Sequence, residues 1–187
     1  VNYDERRGGR EATRLLIEKG HRRILYVDLR HEVGSSTHYS VEDRLAGYVE
    51  AMKEAGLSPE APVEWGSLSG DVQVKNLVEL FRSPKRPTAI VAYDRADRVL
   101  LAAAMAGIVV PRDVSIITFG DGFMESAGMA VTRLSLPYEE AGQAAVSLVL
   151  KKIANPDKPL KLEPLPLRFV QGNTCAAPHR SKRKSHE

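Results

Sequence analysis

Cysteine is almost absent from this sequence: Cys175 stands alone among 187 residues. A lone thiol excludes an intrachain disulfide and suits a reducing compartment, so it reads as structural. Long hydrophobic runs are missing too. No stretch of about 18 apolar residues could span a bilayer, and Val1 opens on polar sequence without a charged segment leading into an apolar one. No membrane partner is expected, and the expected location is cytoplasmic. Excess charge is scarce: the net charge is +3, and Arg180, Lys182, Arg183 and Lys184 against Glu187 account for it. The body up to Pro178 is therefore neutral, whereas a domain that grips phosphates normally carries a basic face. Residues 177–187 read as a basic, solvated, disordered tail.

The patterns of catalysis and metal binding are equally absent. The five histidines are scattered: His21 follows a glycine, His31 and His38 share a loop, and His179 and His186 lie in the tail. No pair has the i, i+4 spacing of a helical zinc site. Gly8-Gly9 precedes a strong strand and lacks a third glycine, so it is no dinucleotide fingerprint, and no GxxxxGK[ST] phosphate loop occurs. No enzymatic activity, metal or cofactor is expected.

What the chain does contain is an alternation of amphipathic helices and short β-branched runs, with 43% hydrophobic and 27% charged residues. Ala12, Leu15 and Leu16 mark a helix stopped by Gly20, followed by the strand Ile24-Leu25-Tyr26-Val27. Leu45, Tyr48, Val49 and Met52 mark a helix ending near Gly56; Val63-Glu64-Trp65 is a short strand; Val74, Leu77, Val78 and Phe81 form the next helical stripe, broken by Pro84 and Pro87. Ala89-Ile90-Val91-Ala92 is a strand, residues 95–106 a helix stopped by Gly107, and Val114-Ser115-Ile116-Ile117-Thr118-Phe119 the most strand-like segment of all. Continuous apolar strands between amphipathic helices predict an α/β fold: a doubly wound parallel sheet in three layers. The loops after Val27, Ala92 and Phe119 should then share one rim, at the carboxyl ends of the strands where such sheets bind ligands. They carry Ser36, His38 and Ser40, then Tyr93 and Asp94, then Asp121. Further on, Thr132-Arg133-Leu134-Ser135 is extended, Pro137 can open a helix, Ala141, Ala145, Leu148 and Val149 share one helical face, and a proline-rich stretch leads to Arg168-Phe169-Val170-Gln171. One helix between two extended crossings suggests a visit to another lobe and a return.

Five segments, nearly end to end, resemble one family. They are Val1-Asn2-Tyr3-Asp4 leading through Gly8-Gly9 to Gly20-His21-Arg22-Arg23-Ile24; Arg44-Leu45-Ala46-Gly47-Tyr48; Pro87-Thr88-Ala89-Ile90 through Asp94; Val110-Pro111-Arg112-Asp113-Val114-Ser115-Ile116-Ile117; and Val170-Gln171-Gly172-Asn173-Thr174. Their order and spacing resemble the LacI/GalR repressors, whose effector domain has the type I periplasmic-binding-protein fold. The resemblance implies mostly the second lobe, residues 1–133, a helix at 134–158 belonging to the first lobe, and the closing strand of the second lobe at 159–176. The chain lacks an initiating Met and opens in what reads as a strand end, so it is expected to be the C-terminal portion of a longer protein.

The resemblance also implies an effector site. Arg44 falls where the family keeps an arginine that reaches a ligand hydroxyl or carboxylate, and a guanidinium fork suits that bidentate task; the alternative is a surface arginine paired with Asp43 or Glu42. Arg44→Ala should accordingly abolish effector response and leave the fold intact. Ser40 is either a hydroxyl near the ligand or a helix N-cap. Asp94 is either a cap, the favoured reading, or a cleft-edge acceptor. Tyr93 replaces the family's usual Asn and could stack on a sugar ring. Gly120 replaces the carboxylate that usually fixes sugar hydroxyls, and Asp121 is the candidate to take over. Tyr3, at a lobe crossing, completes the set. Arg98 puts a charge where the family's dimer-pairing helix is usually apolar, so it needs a partner or exposure.

The expected function is that of an effector-sensing, dimerising domain of a DNA-binding transcriptional regulator. A sugar or sugar derivative would close two lobes, with motion passing near Tyr3-Asp4, Thr132–Ser135 and residues 157–161, and DNA would be met only through an N-terminal domain outside this sequence. The alternative is a solute-binding protein of a sugar transporter, which a signal peptide upstream would identify. A Rossmann-like enzyme is the weakest reading, lacking both a phosphate loop and a paired acid and base.

Overall fold

The computed structural model of the chain describes residues 1–30, 38–121, 128–160 and 163–179, with residues 125–126 described as backbone. Ser36 and His31 of the expected rim loop, Gly122, and residues 180–187 of the basic tail lie outside the described residues.

Helices and strands alternate along the chain from α1 (Glu5–Glu18) through β1 (Ile24–Asp28), α2 (Tyr39–Glu54), β2 (Val63–Glu64), α3 (Gly70–Arg82), β3 (Ala89–Ala92), α4 (Ala96–Met105) and β4 (Ser115–Phe119). There follow a short hairpin, β5 (Glu125–Ser126) and β6 (Met129–Ala130), then β7 (Thr132–Ser135), α5 (Tyr138–Ala154) and β8 (Arg168–Val170). The hairpin has no counterpart in the sequence reading, because two-residue strands leave no period to detect.

Six strands form one sheet in the order β2-β1-β3-β4-β7-β8. All pairings are parallel except β7 with β8, whose register sets Leu134 against Phe169. The expected parallel sheet is present and is mixed at one edge: α5 lies between β7 and β8 in the chain without covering the sheet, so β8 returns in the opposite sense. Both faces are covered elsewhere. Leu25, Val27, Ile90, Ala92 and Ile116 point to one side and pack with Leu77, Phe81, Val99 and Leu100 of α3 and α4. Ile24, Tyr26, Ala89, Val91, Ile117 and Phe119 point to the other and pack with Ala12, Leu16, Tyr48 and Met52 of α1 and α2. This alternation of faces in buried strands is why their sequences are continuously apolar.

α1 and α2 touch backbone to backbone. A Cβ on Gly9 would lie 2.1 Å from the Arg44 carbonyl oxygen, and one on Gly47 would lie 2.1 Å from the Arg6 carbonyl oxygen. The Gly8-Gly9 pair therefore serves helix packing. Ion pairs of Arg6 and Arg10 with Glu50, and of Arg10 and Arg14 with Glu54, line the same seam.

At the far end of the strands, the buried His21 ties three segments together: its Nδ1 lies 3.1 Å from Thr88 Oγ1, and its Nε2 lies 3.0 Å from Ser115 Oγ and 2.8 Å from the Ala176 carbonyl. Burial pushes its pKa below the usual 6.5. Cys175 is buried beside the Ile116 carbonyl, and burial raises its thiol pKa, which fits an inert structural role.

Pro137 is the N-cap residue of α5, just outside the helix, where it was expected inside the first turn. No residue of α5 is buried: Val146, Val149, Leu150 and Ile153 are 58–71% exposed. The segments flanking it are anchored, with Tyr3 bridging Leu165 and the Asp4 N–H donating to the Leu165 carbonyl at 2.8 Å.

Candidate functional site

The strand order reverses direction in the chain between β1 and β3, and in doubly wound sheets the crevice outside the carboxyl ends of these strands receives ligands. The Tyr93 N–H donates to the Val27 carbonyl at 2.8 Å, so the ends of the two strands stay in register up to the rim. Asp28, Tyr93 and Asp94, with Asp121 after β4, therefore sit along one edge.

Arg44 on α2 occupies the centre of this edge and is only 6% exposed. Its guanidinium grips the Glu5 carboxylate bidentately, Nε to Oε2 at 2.7 Å and NH2 to Oε1 at 3.0 Å, while NH1 reaches the Tyr93 carbonyl at 3.3 Å. The cation also lies 4.6 Å from the Tyr93 ring centroid and 4.4 Å from that of Phe119. Neither Asp43 nor Glu42 is its partner; Glu5, at 2% exposure, is. Glu5 escaped the sequence reading, although a signal was there. It stands in helical register with Gly8, Gly9, Ala12 and Leu16 on the buried face of α1, and an acid on a buried face needs a cation.

Tyr93 is held at both ends. Its hydroxyl lies 2.7 Å from Ser40 Oγ, which in turn lies 2.7 Å from His38 Nδ1. Besides Arg44, the Arg30 guanidinium lies 4.7 Å from its ring centroid. Arg30 is anchored by Asp28, its Nε 2.9 and 3.0 Å from the two carboxylate oxygens. Ser40 is not the cap of α2: His38 is, its Nδ1 accepting from the Ser40 N–H at 3.3 Å. Asp28 and Arg30, like Glu5, were not singled out in the sequence.

Asp94 is not the cap of α4 either. Arg95 takes that position in the left-handed region, φ 53°, with no side-chain capping bond, and reaches Asp97 Oδ2 at 3.1 Å. The Asp94 carboxylate is left with a buried Oδ1 that has no hydrogen-bond partner among the described residues. Burial first, then the nearby Asp28, pushes its pKa from 3.8 to about 6, against the pull of Arg95, Arg30 and Arg98. Arg98 itself has found the partner it needed: NH1 donates to Oε1 of the buried Gln73, whose amide donates to the carbonyls of Leu29, Trp65 and Leu68 at 2.7–3.2 Å.

Asp121 is clamped from β7, accepting from Arg133 Nε at 2.9 Å and from Ser135 Oγ at 2.7 Å. Gly120 before it has φ 77°, a left-handed backbone region that suits glycine. Tyr3 joins a different group: its N–H donates to Tyr39 Oη at 3.2 Å, and its ring meets Tyr138 edge-on at 6.4 Å. The structure thus gathers Arg44, Ser40 and Tyr93 into one bonded cluster, with Asp94 and Asp121 at neighbouring strand ends and Tyr3 at the starts of α2 and α5. A cavity of about 390 Å³ opens beside Asp28 and Arg30, with Glu42 and Glu64 in its lining. Among the described residues, no group of three or more His, Cys, Asp or Glu could hold a metal ion, and no helix is long and apolar enough to cross a membrane.

A sheet of this order with a polar edge at its switch point defines a ligand-binding α/β lobe, and comparison with known proteins gives its family. The family described as "Periplasmic binding protein-like domain" matches residues 13–175. The HTH-type transcriptional repressor PurR of Escherichia coli O139:H28 is 30% identical over 185 residues, covering 95% of this chain and 52% of the repressor. Among solved structures, a putative transcriptional regulator LacI from Bacillus cereus subsp. cytotoxis superposes with TM-score 0.76 at 26% identity, covering 95% of this chain and 62% of that one. A LacI family transcriptional regulator from Enterococcus faecium with bound ribose gives TM-score 0.73 at 25% identity, covering 94% and 64%. The chain belongs to the periplasmic binding protein-like domains, and within them to the effector-binding domains of the LacI/GalR family. It spans about half the length of the curated relatives it matches.

Proposed function

We propose that the chain is the effector-sensing part of a DNA-binding transcriptional regulator, taking a small sugar-like molecule between this lobe and a first lobe encoded upstream. The observation that carries the reading is the edge at the β1/β3 switch point. There a polar set built around Arg44, Ser40, Tyr93 and Asp94, with Asp121 after the neighbouring strand, gathers at the carboxyl ends of the strands. Tyr3 contributes from the crossing segment. The regulators among the relatives, one with ribose bound, favour sensing over delivery to a transporter, and cytoplasmic location follows from acting on DNA.

The lobe assignment draws on α5. Its Val146, Val149, Leu150 and Ile153 are exposed, while β7 and β8 on either side of it are sheet strands. We assign α5 to the first lobe, with the crossing after Ser135, because Leu134 is buried in the core of this lobe. A homodimer is supported by the outer surface of α3 and α4, where Val72, Leu101 and Met105 are exposed beside a groove lined by Val74 and Val78. DNA would be read by a separate N-terminal domain.

The test is calorimetric titration of the full-length protein with a panel of sugars, nucleosides and polyols. At least one compound should bind with measurable heat, and the heat should weaken in Tyr93→Ala. Silence across the panel would refute the sensing role.

A further inference from the structure

We propose that this cleft selects uncharged, polyhydroxylated effectors over their carboxylated or phosphorylated counterparts, and that Glu5 sets that choice. The inference rests on the effector-site reading above and deepens it to a ligand class.

Four arginines along the rim are matched by acids of the same chain: Arg30 by Asp28, Arg44 by Glu5, Arg95 by Asp97 and Arg133 by Asp121; Arg98, whose charge also acts on Asp94, donates to the neutral Gln73 amide. The decisive pair is Glu5 with Arg44, because both are more than nine-tenths buried. Arg44 has five N–H donors, and three are engaged, two by Glu5 and one by the Tyr93 carbonyl. The Tyr93 and Phe119 rings lie against the guanidinium. What Arg44 offers a ligand is a remaining donor or two on a neutralised cation. A hydroxyl oxygen can accept from such a donor. A carboxylate or phosphate would bring a second negative charge against Glu5, in a site too poorly hydrated to screen the repulsion.

The acceptors point the same way. Asp94 Oδ1 is buried and has no hydrogen-bond partner among the described residues; a ligand O–H that reached it would supply the missing donor. The neighbouring cavity sets Asp28, Glu42 and Glu64 against Arg30, an environment that also disfavours anions. An uncharged polyol can donate to Asp94 and accept from Arg44 at once; an anion can satisfy only the second, against Glu5.

The experiment titrates the full-length protein with matched probes, ribose against ribose 5-phosphate and glucose against glucuronate among other neutral and anionic pairs, in the wild type, Glu5→Gln and Asp94→Asn. Circular dichroism and operator binding serve as fold controls. In the wild type, the neutral member of a pair that binds should be at least about tenfold tighter than the anionic one. Glu5→Gln, which keeps an amide oxygen for Arg44 and removes the charge, should shrink that ratio about tenfold. Asp94→Asn should weaken the neutral ligand about tenfold and leave the ratio's dependence on Glu5 in place. Preference of the wild type for the anionic member overturns the inference while leaving the effector reading standing. An unchanged ratio in a folded Glu5→Gln protein overturns the role of Glu5. If Glu5→Gln fails to fold, the wild-type ratio and Asp94→Asn decide: no wild-type preference, or no loss in Asp94→Asn, overturns the inference. Silence from every pair removes the effector reading and this inference with it.

Discussion

The Glu5–Arg44 pair changes what a substitution at Arg44 would report. From sequence alone, Arg44→Ala is a clean test of ligand contact. In the structure it strands a carboxylate that is 2% exposed, and breaking a buried pair by removing one partner costs about 3–5 kcal/mol. Urea unfolding should show a loss of this size for both Arg44→Ala and Glu5→Ala, with the double variant losing less than the sum. Asp94 behaves in the opposite sense. Its folded pKa of about 6 lies above the ordinary 3.8, so folding favours the protonated acid. The stability linked to it is full below pH 3.8 and is lost as the pH rises through 6. Asp94→Asn should therefore be more stable than the wild type by about 2 kcal/mol at pH 7.5 and no more stable at pH 4, measured by urea unfolding at both. A residue that costs stability in the free protein is what a ligand-binding group left waiting for its donor looks like.

The seam between α1 and α2 is what brings Glu5 and Arg44 together, and it depends on two glycines. At Gly47 any Cβ would meet the Arg6 carbonyl, and overpacking of this kind costs about 1–3 kcal/mol. Gly47→Ala should lower the unfolding free energy by at least about 2 kcal/mol and weaken effector binding as well, since parting the helices moves Arg44 off Glu5. Binding lost together with stability, rather than stability alone, is the outcome to look for by calorimetry. This is also the scale at which the sequence was most readable. Buried strands such as Ala89–Ala92 and Ser115–Phe119 announce themselves as apolar or β-branched runs, and Gly20 and Gly107 mark helix stops, with φ 100° and 74° in the structure. What periodicity does not carry is contact across elements. Glu5 and Arg44 are 39 positions apart, the antiparallel sense of β8 depends on where α5 goes, and the cap of α4 passed from Asp94 to Arg95 because the Asp94 carboxylate turns into a buried site. Of the residues named from the family resemblance, Tyr93, Asp94 and Asp121 follow strand ends, Ser40 and Arg44 stand on α2 and Tyr3 precedes α1, but their partners came only from the fold.

As a whole, the described residues form one well-packed lobe that leaves open the polar edge at the carboxyl ends of the strands and the exposed apolar residues of α5. On the proposed function, both would be finished by the same addition, a first lobe that takes α5 into its core and closes over Asp94, Tyr93 and Arg44. On that reading, closure by a ligand that contacts both lobes would shift the population of lobe arrangements, and DNA-reading heads attached to the first lobe of each protomer would follow that shift. The measurement that tests this most directly is the affinity of the full-length protein for its operator, by fluorescence anisotropy, with and without a saturating concentration of a compound that gives heat in calorimetry. Operator affinity should change at least about fivefold, in either direction, and the concentration of compound that gives half of that change should rise about tenfold in Asp94→Asn. An operator affinity that stays the same while the compound is bound would contradict the assignment of this lobe as the sensor of a regulator.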